Sequence, residues 1–168
     1  SQLGSREPGL VGAALATPGI SAGLIADDIH VHASSMRIAL SAKGDADEIF
    51  LVTDAMATAG SQISEFTLNG RSVLRRDGRL TLKDGTLAGA DIDFAGAVSV
   101  LTRQGGSSLS QALRMATSAP ARCLRTPGAA GRFVAGQQAN AFILMKSTNI
   151  WALAENSATG AQIYPALL

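Results

Sequence analysis

The chain has 168 residues, with 14 Lys or Arg against 13 Asp or Glu and one cysteine, Cys123. This length allows one ordinary domain with a sizeable core, and the charge balance excludes the polybasic or acidic surface of a protein that binds nucleic acid or membranes. A single cysteine excludes an intrachain disulfide framework and is typical of the reducing cytoplasm, and no apolar run approaches the roughly 18 residues of a membrane span.

The first third of the chain predicts a parallel β-α-β unit. A helix or turn is expected between the Pro-Gly pairs at 8–9 and 18–19, followed by a buried strand at 22–26. Residues 34–43 have helical spacing with Ser34 or Ser35 as the cap, and residues 49–52 are a second buried strand. Strand, helix and strand within about 35 residues favour parallel pairing.

The pattern then changes to strands with tight turns. Residues 65–87, EFTLNGRSVLRRDGRLTLKDGTL, alternate in period two and contain Asn-Gly and Asp-Gly pairs that suit hairpins. An antiparallel excursion is therefore expected here.

Two amphipathic helices are predicted after this excursion. Asp91 or Asp93 caps the first, whose apolar face contains Phe94, Ala97, Val98 and Leu101. Ser108 with Gln111 forms a capping box for the second. After a boundary near residue 126 we expect a small β unit, with a strand at 141–145 and a strand pair around 156–160.

Asp54 is the leading candidate for a functional side chain. It lies in LVTDAMATAG, residues 51–60, at the carboxyl end of a predicted parallel strand, and small residues follow it. Ligands and catalytic groups gather at that edge of α/β sheets. The alternative is a structural role, because aspartate commonly caps helices and turns.

Both histidines, His30 and His32, follow the other predicted strand. At spacing i, i+2 in an extended segment the two imidazoles point to one side, so they could bind a metal together with Asp54. A metal site needs about three protein ligands. The alternative, two histidines that hydrogen bond within a loop, stays open.

Two further segments could contact an oxygen-rich ligand. The guanidinium of Arg6 can bind a phosphate or carboxylate through two parallel bonds, although this arginine can equally be a surface residue. Thr86–Gly89, ahead of a predicted helix, offers backbone amides to such a ligand. Neither segment decides the function alone.

The chain resembles the N-acetylglucosamine-6-phosphate deacetylases of the amidohydrolase superfamily in six stretches, in matching order: REPGLVGA, GLIADDIHVH, LVTDAMATAG, GTLAGADIDFAGAV, LSQALRMATSAPARCL and GRFVAGQQANAFIL. The resemblance covers nearly the whole chain, and LVTDA after IAD-x-x-HVH is specific to that family. It implies an α/β fold, with the last part of a metal-dependent TIM barrel, about three β/α units, over residues 1–126. Residues 127–168 would be part of a small β-sandwich domain.

The implied activity is hydrolysis of the N-acetyl group of N-acetylglucosamine 6-phosphate to glucosamine 6-phosphate and acetate. By the resemblance, Asp54 matches the catalytic aspartate at the end of the last barrel strand, which takes a proton from metal-bound water and then protonates the leaving amine. His30 matches a substrate-binding histidine. Arg6 matches an arginine that contacts the sugar phosphate across a homodimer interface.

Three further positions match a loop that lies against the substrate. Leu87, Ala88 and Gly89 correspond to the Leu-Ser-Gly of that loop, with alanine in place of serine. Asp28 stands where glycine is usual and His32 is at a variable position, so no role is carried onto either residue.

The resemblance implies zinc or iron, held by a glutamate and two histidines from earlier strands. His30 and His32 are then not metal ligands, and we expect none of the ligands among these 168 residues. The isolated chain, whether a fragment of a full-length enzyme or a truncated relic, is expected not to deacetylate. About three strands of a barrel would also leave two open edges.

Two other functions stay open. One is an amidohydrolase that acts on a cyclic or another acylated amine, which the phosphate contacts expected of His30 and Arg6 disfavour. The other is a non-catalytic sugar-phosphate-binding or oligomerisation module. The expected partner remains a small amino-sugar phosphate.

Overall fold

The structure, a computed structural model, describes residues 3–44, 46–124, 131 and 135, and the backbone of 143–147 and 150–154. It is a mixed α/β structure with a parallel strand pair, an antiparallel sheet and a second antiparallel pair. Within these residues, no helix is both long and apolar enough to cross a bilayer.

The predicted β-α-β unit is present. After α1 (Gly9–Ala16), β1 (Ala22–Leu24) and β2 (Ile49–Leu51) pair in parallel, with α2 (Ala33–Lys43) between them in the chain. Leu24 lies opposite Leu51, and both are at least 93% buried. Each strand is shorter than its apolar run, because the chain turns away into the loops that carry the polar residues.

The start of α2 differs from the prediction. The cap is His32, whose Nδ1 accepts a hydrogen bond from the Ser34 amide at 3.2 Å, and not Ser34 or Ser35. The Asp28 carboxylate accepts a second hydrogen bond, from the Ala33 amide at 2.6 Å. These side chains satisfy amides that the first turn of a helix leaves without a partner.

Residues 65–90 form an antiparallel sheet in the order β3-β4-β5-β6. Its strands are β3 (Glu65–Leu68), β4 (Arg71–Arg76), β5 (Arg79–Leu82) and β6 (Leu87–Ala90). Asn69 and Asp77 have φ values of 50° and 51°, which the tight turns of hairpins require.

The segment expected as a loop against the substrate is the edge strand of this sheet. Leu87 pairs with Thr81, and Ala90 with Arg79, with a register shift between them. The loop prediction for Leu87, Ala88 and Gly89 was therefore wrong about local structure, because the turn at 83–86 folds the chain back onto β5.

The helices that follow are α3 (Phe94–Val100), which continues as a π-helical turn at Leu101–Gly105, α4 (Leu109–Ala116) and α5 (Ser118–Cys123). Asp93 caps α3, whereas Phe94 is 43% exposed and not on the buried face as predicted. The other residues predicted on that face, Ala97, Val98 and Leu101, are buried as expected.

Ser108 caps α4 as predicted, accepting a hydrogen bond from the Gln111 amide at 3.2 Å. The capping box is incomplete, because the Gln111 side chain accepts a hydrogen bond from the Ser107 hydroxyl. These two hydrogen bonds fix the first turn of α4.

The core lies between the parallel strands and the helices that cover them. It is aliphatic and rich in alanine, with these residues: Leu24, Ala26, Ala33, Met36, Ile49, Leu51, Ala97, Val98, Leu101, Ala112 and Met115. Alanine lets helix backbones approach the sheet closely, which fits a chain with few aromatic residues.

A partly buried ion pair holds the amino end of β2. The Lys43 side chain is 1% exposed, and its ammonium lies 2.7 Å from Glu48 and donates to the Thr17 carbonyl at 2.8 Å. Glu48 also accepts a hydrogen bond from the Gly19 amide at 2.7 Å. The connection into β1, the end of α2 and the entrance to β2 are thereby joined.

Two antiparallel strands follow, β7 (Ile143–Ser147) and β8 (Ile150–Ala154). β7 begins two residues later than the predicted strand at 141–145. The first strand of the pair predicted within 149–165 corresponds to β8, which pairs with β7. The predicted boundary near residue 126 and the rest of that strand pair, from 155 onward, lie outside the described residues.

Candidate functional site

Two loops leave the same edge of the parallel pair. Leu24 is paired with Leu51, and the ladder continues with the Val52 amide donating to the Leu24 carbonyl at 3.0 Å. Asp27 and Asp54 each lie three residues beyond this pair of leucines. Because parallel strands end at a common edge, both carboxylates belong to the carboxyl edge of the sheet.

The Asp54 side chain is presented to solvent by an uncommon backbone conformation. Its φ is 48°, in the left-handed region that aspartate tolerates better than most residues. The side chain is exposed and makes no hydrogen bond or ion pair with a described residue. Its carboxylate is therefore open to a ligand from the solvent side.

The backbone at Asp54 is held by the end of β6. The Ala90 amide donates to the Asp54 carbonyl at 3.0 Å, and Ala55 forms a parallel bridge with Ala90. The segment after β2 thus gains a second strand neighbour, from the antiparallel sheet. The structure brings Asp54 and the predicted residues 87–89 into one neighbourhood.

Gly89 lies where this contact is tightest. A Cβ at this position would lie 2.3 Å from Met56 Cγ and 3.2 Å from the Asp54 carbonyl oxygen, and its φ is 93°. Both the space and the backbone conformation therefore require glycine. This requirement has a structural cause within the chain, whatever Gly89 contributes to ligand binding.

The small residues after Asp54 form a compact turn. The Met56 and Thr58 carbonyls accept hydrogen bonds from the Ala59 and Ser61 amides at 2.9 and 3.1 Å. Thr58 is 1% exposed. The turn after Asp54 is thus held by its own backbone hydrogen bonds.

His30 is oriented by a residue that sequence reasoning passed over. Its Nδ1 lies 2.6 Å from Asp27 Oδ2, while Asp27 Oδ1 accepts hydrogen bonds from the Ile29 and His30 amides at 2.9 and 2.8 Å. The Asp27 side chain is 5% exposed, against 18% for His30. The signal was present as D-x-x-H directly after a strand, but the carboxylate could also have marked only the strand end.

The two histidines do not act together. His30 pairs with Asp27, whereas His32 caps α2, so the extended H-x-H metal pair considered from the sequence is wrong. The reason is that residues 27–31 bend instead of continuing the strand, which removes the alternation of side chains. Across the described part of the chain, no group of three or more His, Cys, Asp or Glu could hold a metal ion.

Arg6 is exposed on the segment before α1 and makes no hydrogen bond or ion pair with a described residue. Among the described residues outside the site, two carboxylates have a lowered pKa. The hydrogen bond from Lys43 lowers the pKa of Glu48, and the hydrogen bond from the Thr86 amide lowers the pKa of Asp84.

Fold and site define an α/β protein with an exposed carboxylate and an Asp–His pair at the carboxyl edge of parallel strands. No family model matches the chain. It is 41% identical over 140 residues to the N-acetylgalactosamine-6-phosphate deacetylase of Shewanella sp., an alignment that covers 83% of this chain and 35% of that protein. It is 34% identical over 142 residues to a putative N-acetylgalactosamine-6-phosphate deacetylase of Escherichia coli K12, with 84% of each chain covered.

The chain is also similar to solved structures of deacetylases. The chain matches N-acetylglucosamine-6-phosphate deacetylase from Pasteurella multocida with a TM-score of 0.83 and 33% identity, over 95% of this chain and 41% of that one. For the Thermotoga maritima deacetylase the TM-score is 0.76 and the identity 28%, over 91% and 42% of the two chains. The chain belongs to the family of N-acetylglucosamine- and N-acetylgalactosamine-6-phosphate deacetylases. It spans about a third of the Shewanella relative and most of the Escherichia coli K12 relative.

Proposed function

We propose that the full-length protein hydrolyses the N-acetyl group of N-acetylglucosamine 6-phosphate, giving glucosamine 6-phosphate and acetate. One observation carries the proposal: in a member of this deacetylase family, an exposed aspartate with no side-chain partner among the described residues stands at the carboxyl edge of a parallel strand pair. Catalytic groups of α/β enzymes gather at that edge.

Asp54 is proposed to transfer the proton in this reaction. Its carboxylate accepts a proton from the water whose oxygen attacks the acetyl carbonyl carbon. When the bond between that carbon and nitrogen breaks, the protonated Asp54 donates to the amine, which is a poor leaving group without a proton. The clamp at Ala90 holds the backbone of Asp54 while the side chain stays free to reach the substrate.

His30 is proposed to bind the sugar phosphate, and Asp27 to orient it. Because the Asp27 carboxylate accepts the Nδ1 proton of His30, Nε2 is left for a substrate hydroxyl or phosphate. Leu87, Ala88 and Gly89 are proposed to lie against the substrate from β6, and Arg6 to contact its phosphate in a neighbouring subunit of a homodimer.

A divalent metal, zinc or iron, is part of the proposal but not of the reaction steps above. The described residues do not fit a complete metal site, because they bring together no group of three possible ligands. We therefore derive no step through the metal. Its ligands are proposed to be residues other than those described here, and the isolated 168-residue chain is proposed to lack turnover.

The proposed setting is the carboxyl-terminal part of a TIM barrel over residues 1–126, with part of a small β-sandwich over 127–168. Supporting this are the parallel β1–β2 pair and the parallel bridge from Ala55 to Ala90, which adds a third neighbour at the same edge. The antiparallel sheet of residues 65–90 is an excursion within it. We propose a cytoplasmic location, which the single cysteine favours.

Acetate release from N-acetylglucosamine 6-phosphate by the full-length protein tests the function. Asp54→Asn is expected to lower kcat by about 10²–10⁴-fold, the usual contribution of a general acid or base, and to leave substrate affinity within about twofold. Asp77→Asn is a matched control, since Asp77 is also exposed with positive φ but lies in a hairpin turn. Equal turnover in Asp54→Asn and the wild type would refute the catalytic role.

N-acetylgalactosamine 6-phosphate is a second candidate substrate. The observation that favours it is the 41% identity over 140 residues to the Shewanella relative, which is named for that sugar. A comparison of kcat/KM for the two sugar phosphates decides between them. A full-length protein that binds both without releasing acetate would instead support the non-catalytic binding module, and turnover confined to unphosphorylated acylated amines would support another amidohydrolase.

A further inference from the structure

Arg75 on β4 joins two segments that flank Asp54. Its Nε lies 2.7 Å from Asp91 Oδ2, and its Nη1 donates to the Ser61 carbonyl at 2.7 Å. The side chains of Arg75 and Asp91 are 23% and 12% exposed, so this is a partly buried, charge-assisted pair. The backbone amide of Arg75 also donates to the Ser64 carbonyl at 2.8 Å.

Both partners of Arg75 belong to segments that contact or directly follow Asp54. Asp91 directly follows Ala90, whose amide donates to the Asp54 carbonyl. Ser61 ends the compact turn that begins after Asp54, and its amide and hydroxyl both bond to the Thr58 carbonyl. Arg75 thus fixes the far end of the loop and the strand that clamps the near end.

We propose that Arg75 is a positioning residue for Asp54, acting through Asp91 and Ser61; this rests on the proposed function of Asp54. The antiparallel sheet then contributes to the site, because it carries the guanidinium that binds both segments flanking Asp54, at Ser61 and at Asp91. Arginine suits this task because its planar fork reaches two acceptors at once, whereas a lysine ammonium is a point charge on a flexible stem.

The pair acts on the backbone of Asp54 and not on its charge. Arg75 makes no hydrogen bond or ion pair with the Asp54 side chain within the described structure. A loss of Arg75 should therefore leave the carboxylate present but less well placed. Small misplacements of a catalytic group lower the rate of the chemical step more than they weaken substrate binding.

The test compares Arg75→Ala, Arg75→Lys and Arg76→Ala in the full-length protein. Arg76 is the adjacent exposed arginine on β4 and serves as the control. The first readout is hydrogen exchange of the Ala90 amide, which reports the clamp on Asp54 without any substrate. Because a charge-assisted hydrogen bond is lost, we expect exchange about tenfold faster or more in Arg75→Ala and Arg75→Lys, and unchanged in Arg76→Ala.

The second readout is steady-state deacetylation. We expect kcat to fall about tenfold in both Arg75 variants while KM changes less than about twofold, since substrate contacts remain. A purely structural arginine would not give this division between kcat and KM. Ala90 exchange as slow in both Arg75 variants as in the wild type would overturn the proposal, as would full rescue by lysine.

Asp91→Asn removes the charge of the partner at nearly constant volume and decides the question if Arg75→Ala does not fold. It is expected to speed Ala90 exchange as well, and combination with Arg75→Lys should add little, because both changes break one interaction. Additive effects would contradict a shared clamp. If Ala90 exchanges faster in the variants but the wild-type protein does not deacetylate, the clamp is supported and the proposed reaction is refuted instead.

Discussion

Replacement of Gly89 by alanine tests whether the packing between β6 and the Asp54 segment is as close as the structure has it. The added Cβ would lie 2.3 Å from Met56 Cγ, 3.0 Å from Met56 Sδ and 3.2 Å from the Asp54 carbonyl oxygen. Cγ is near the backbone, so rotation of the outer side chain alone does not relieve the contact. Met56 or the strand itself must move.

The expected cost has two parts. The φ of 93° is unfavourable for any residue with a Cβ, by about 1–2 kcal/mol, and insertion of a methyl group into a filled space adds about 1–3 kcal/mol. Together these predict a loss of about 2–5 kcal/mol in the free energy of unfolding. Gly85→Ala is a matched control, because Gly85 has a φ of 87° and nothing within 4 Å of the added Cβ.

Urea denaturation of the full-length variants measures the difference. Gly85→Ala should lose only the backbone part, and Gly89→Ala should lose more by about 1–3 kcal/mol. Met56→Ala in the Gly89→Ala background should recover that excess, relative to Met56→Ala alone, because the clashing atoms are gone. If Gly89→Ala costs no more than Gly85→Ala, the close contact does not exist and Gly89 is kept for another reason, such as a ligand.

Two further predictions concern the charged pairs. Asp27→Asn removes the carboxylate that accepts the Nδ1 proton of His30. It should raise the dissociation constant for the sugar phosphate about tenfold and change the His30 tautomer seen by ¹⁵N NMR. An unchanged tautomer would contradict the orienting role. Hydrogen bonds from Lys43 and the Gly19 amide lower the pKa of Glu48 from 4.5, so the stability gained from this carboxylate is present above pH 4.5 and lost as the pH falls through the lowered pKa. Acid unfolding of Glu48→Gln should accordingly depend less on pH below 4.5 than that of the wild type, and identical pH profiles would exclude the contribution.

Local signals explain which elements could be predicted. The apolar runs of β1 and β2, the Asn-Gly and Asp-Gly turns of the antiparallel strands, and the Ser108 cap each depend on a few neighbouring residues, and all are present in the structure. The expected position of Asp54 at a strand end followed from the same local reasoning. Asp54 as a catalytic residue remains a prediction that came from the family resemblance.

The errors arose where a short stretch of sequence allows more than one hydrogen-bonded arrangement. Residues 87–89 resembled a loop, yet they form an edge strand because β5 offers a partner. His30 and His32 were placed on one side of an extended segment, but the Asp27 carboxylate accepts two backbone amides and bends the chain there. The sequence pattern alone cannot show that residues 87–89 pair with β5 or that Asp27 accepts these two amides.

The sequence by itself determined the parallel unit, the hairpins and the family, because hydrophobic periodicity, turn residues and matching motifs are properties of adjacent positions. Only the tertiary structure decided that Gly89 must be glycine beneath Met56, that Asp27 orients His30 and that Arg75 reaches both flanks of Asp54. In the first and third cases the contact joins residues far apart in the chain. In the second the contact is local, but a short polar spacing allows several hydrogen-bonded arrangements, and only the structure shows which one forms.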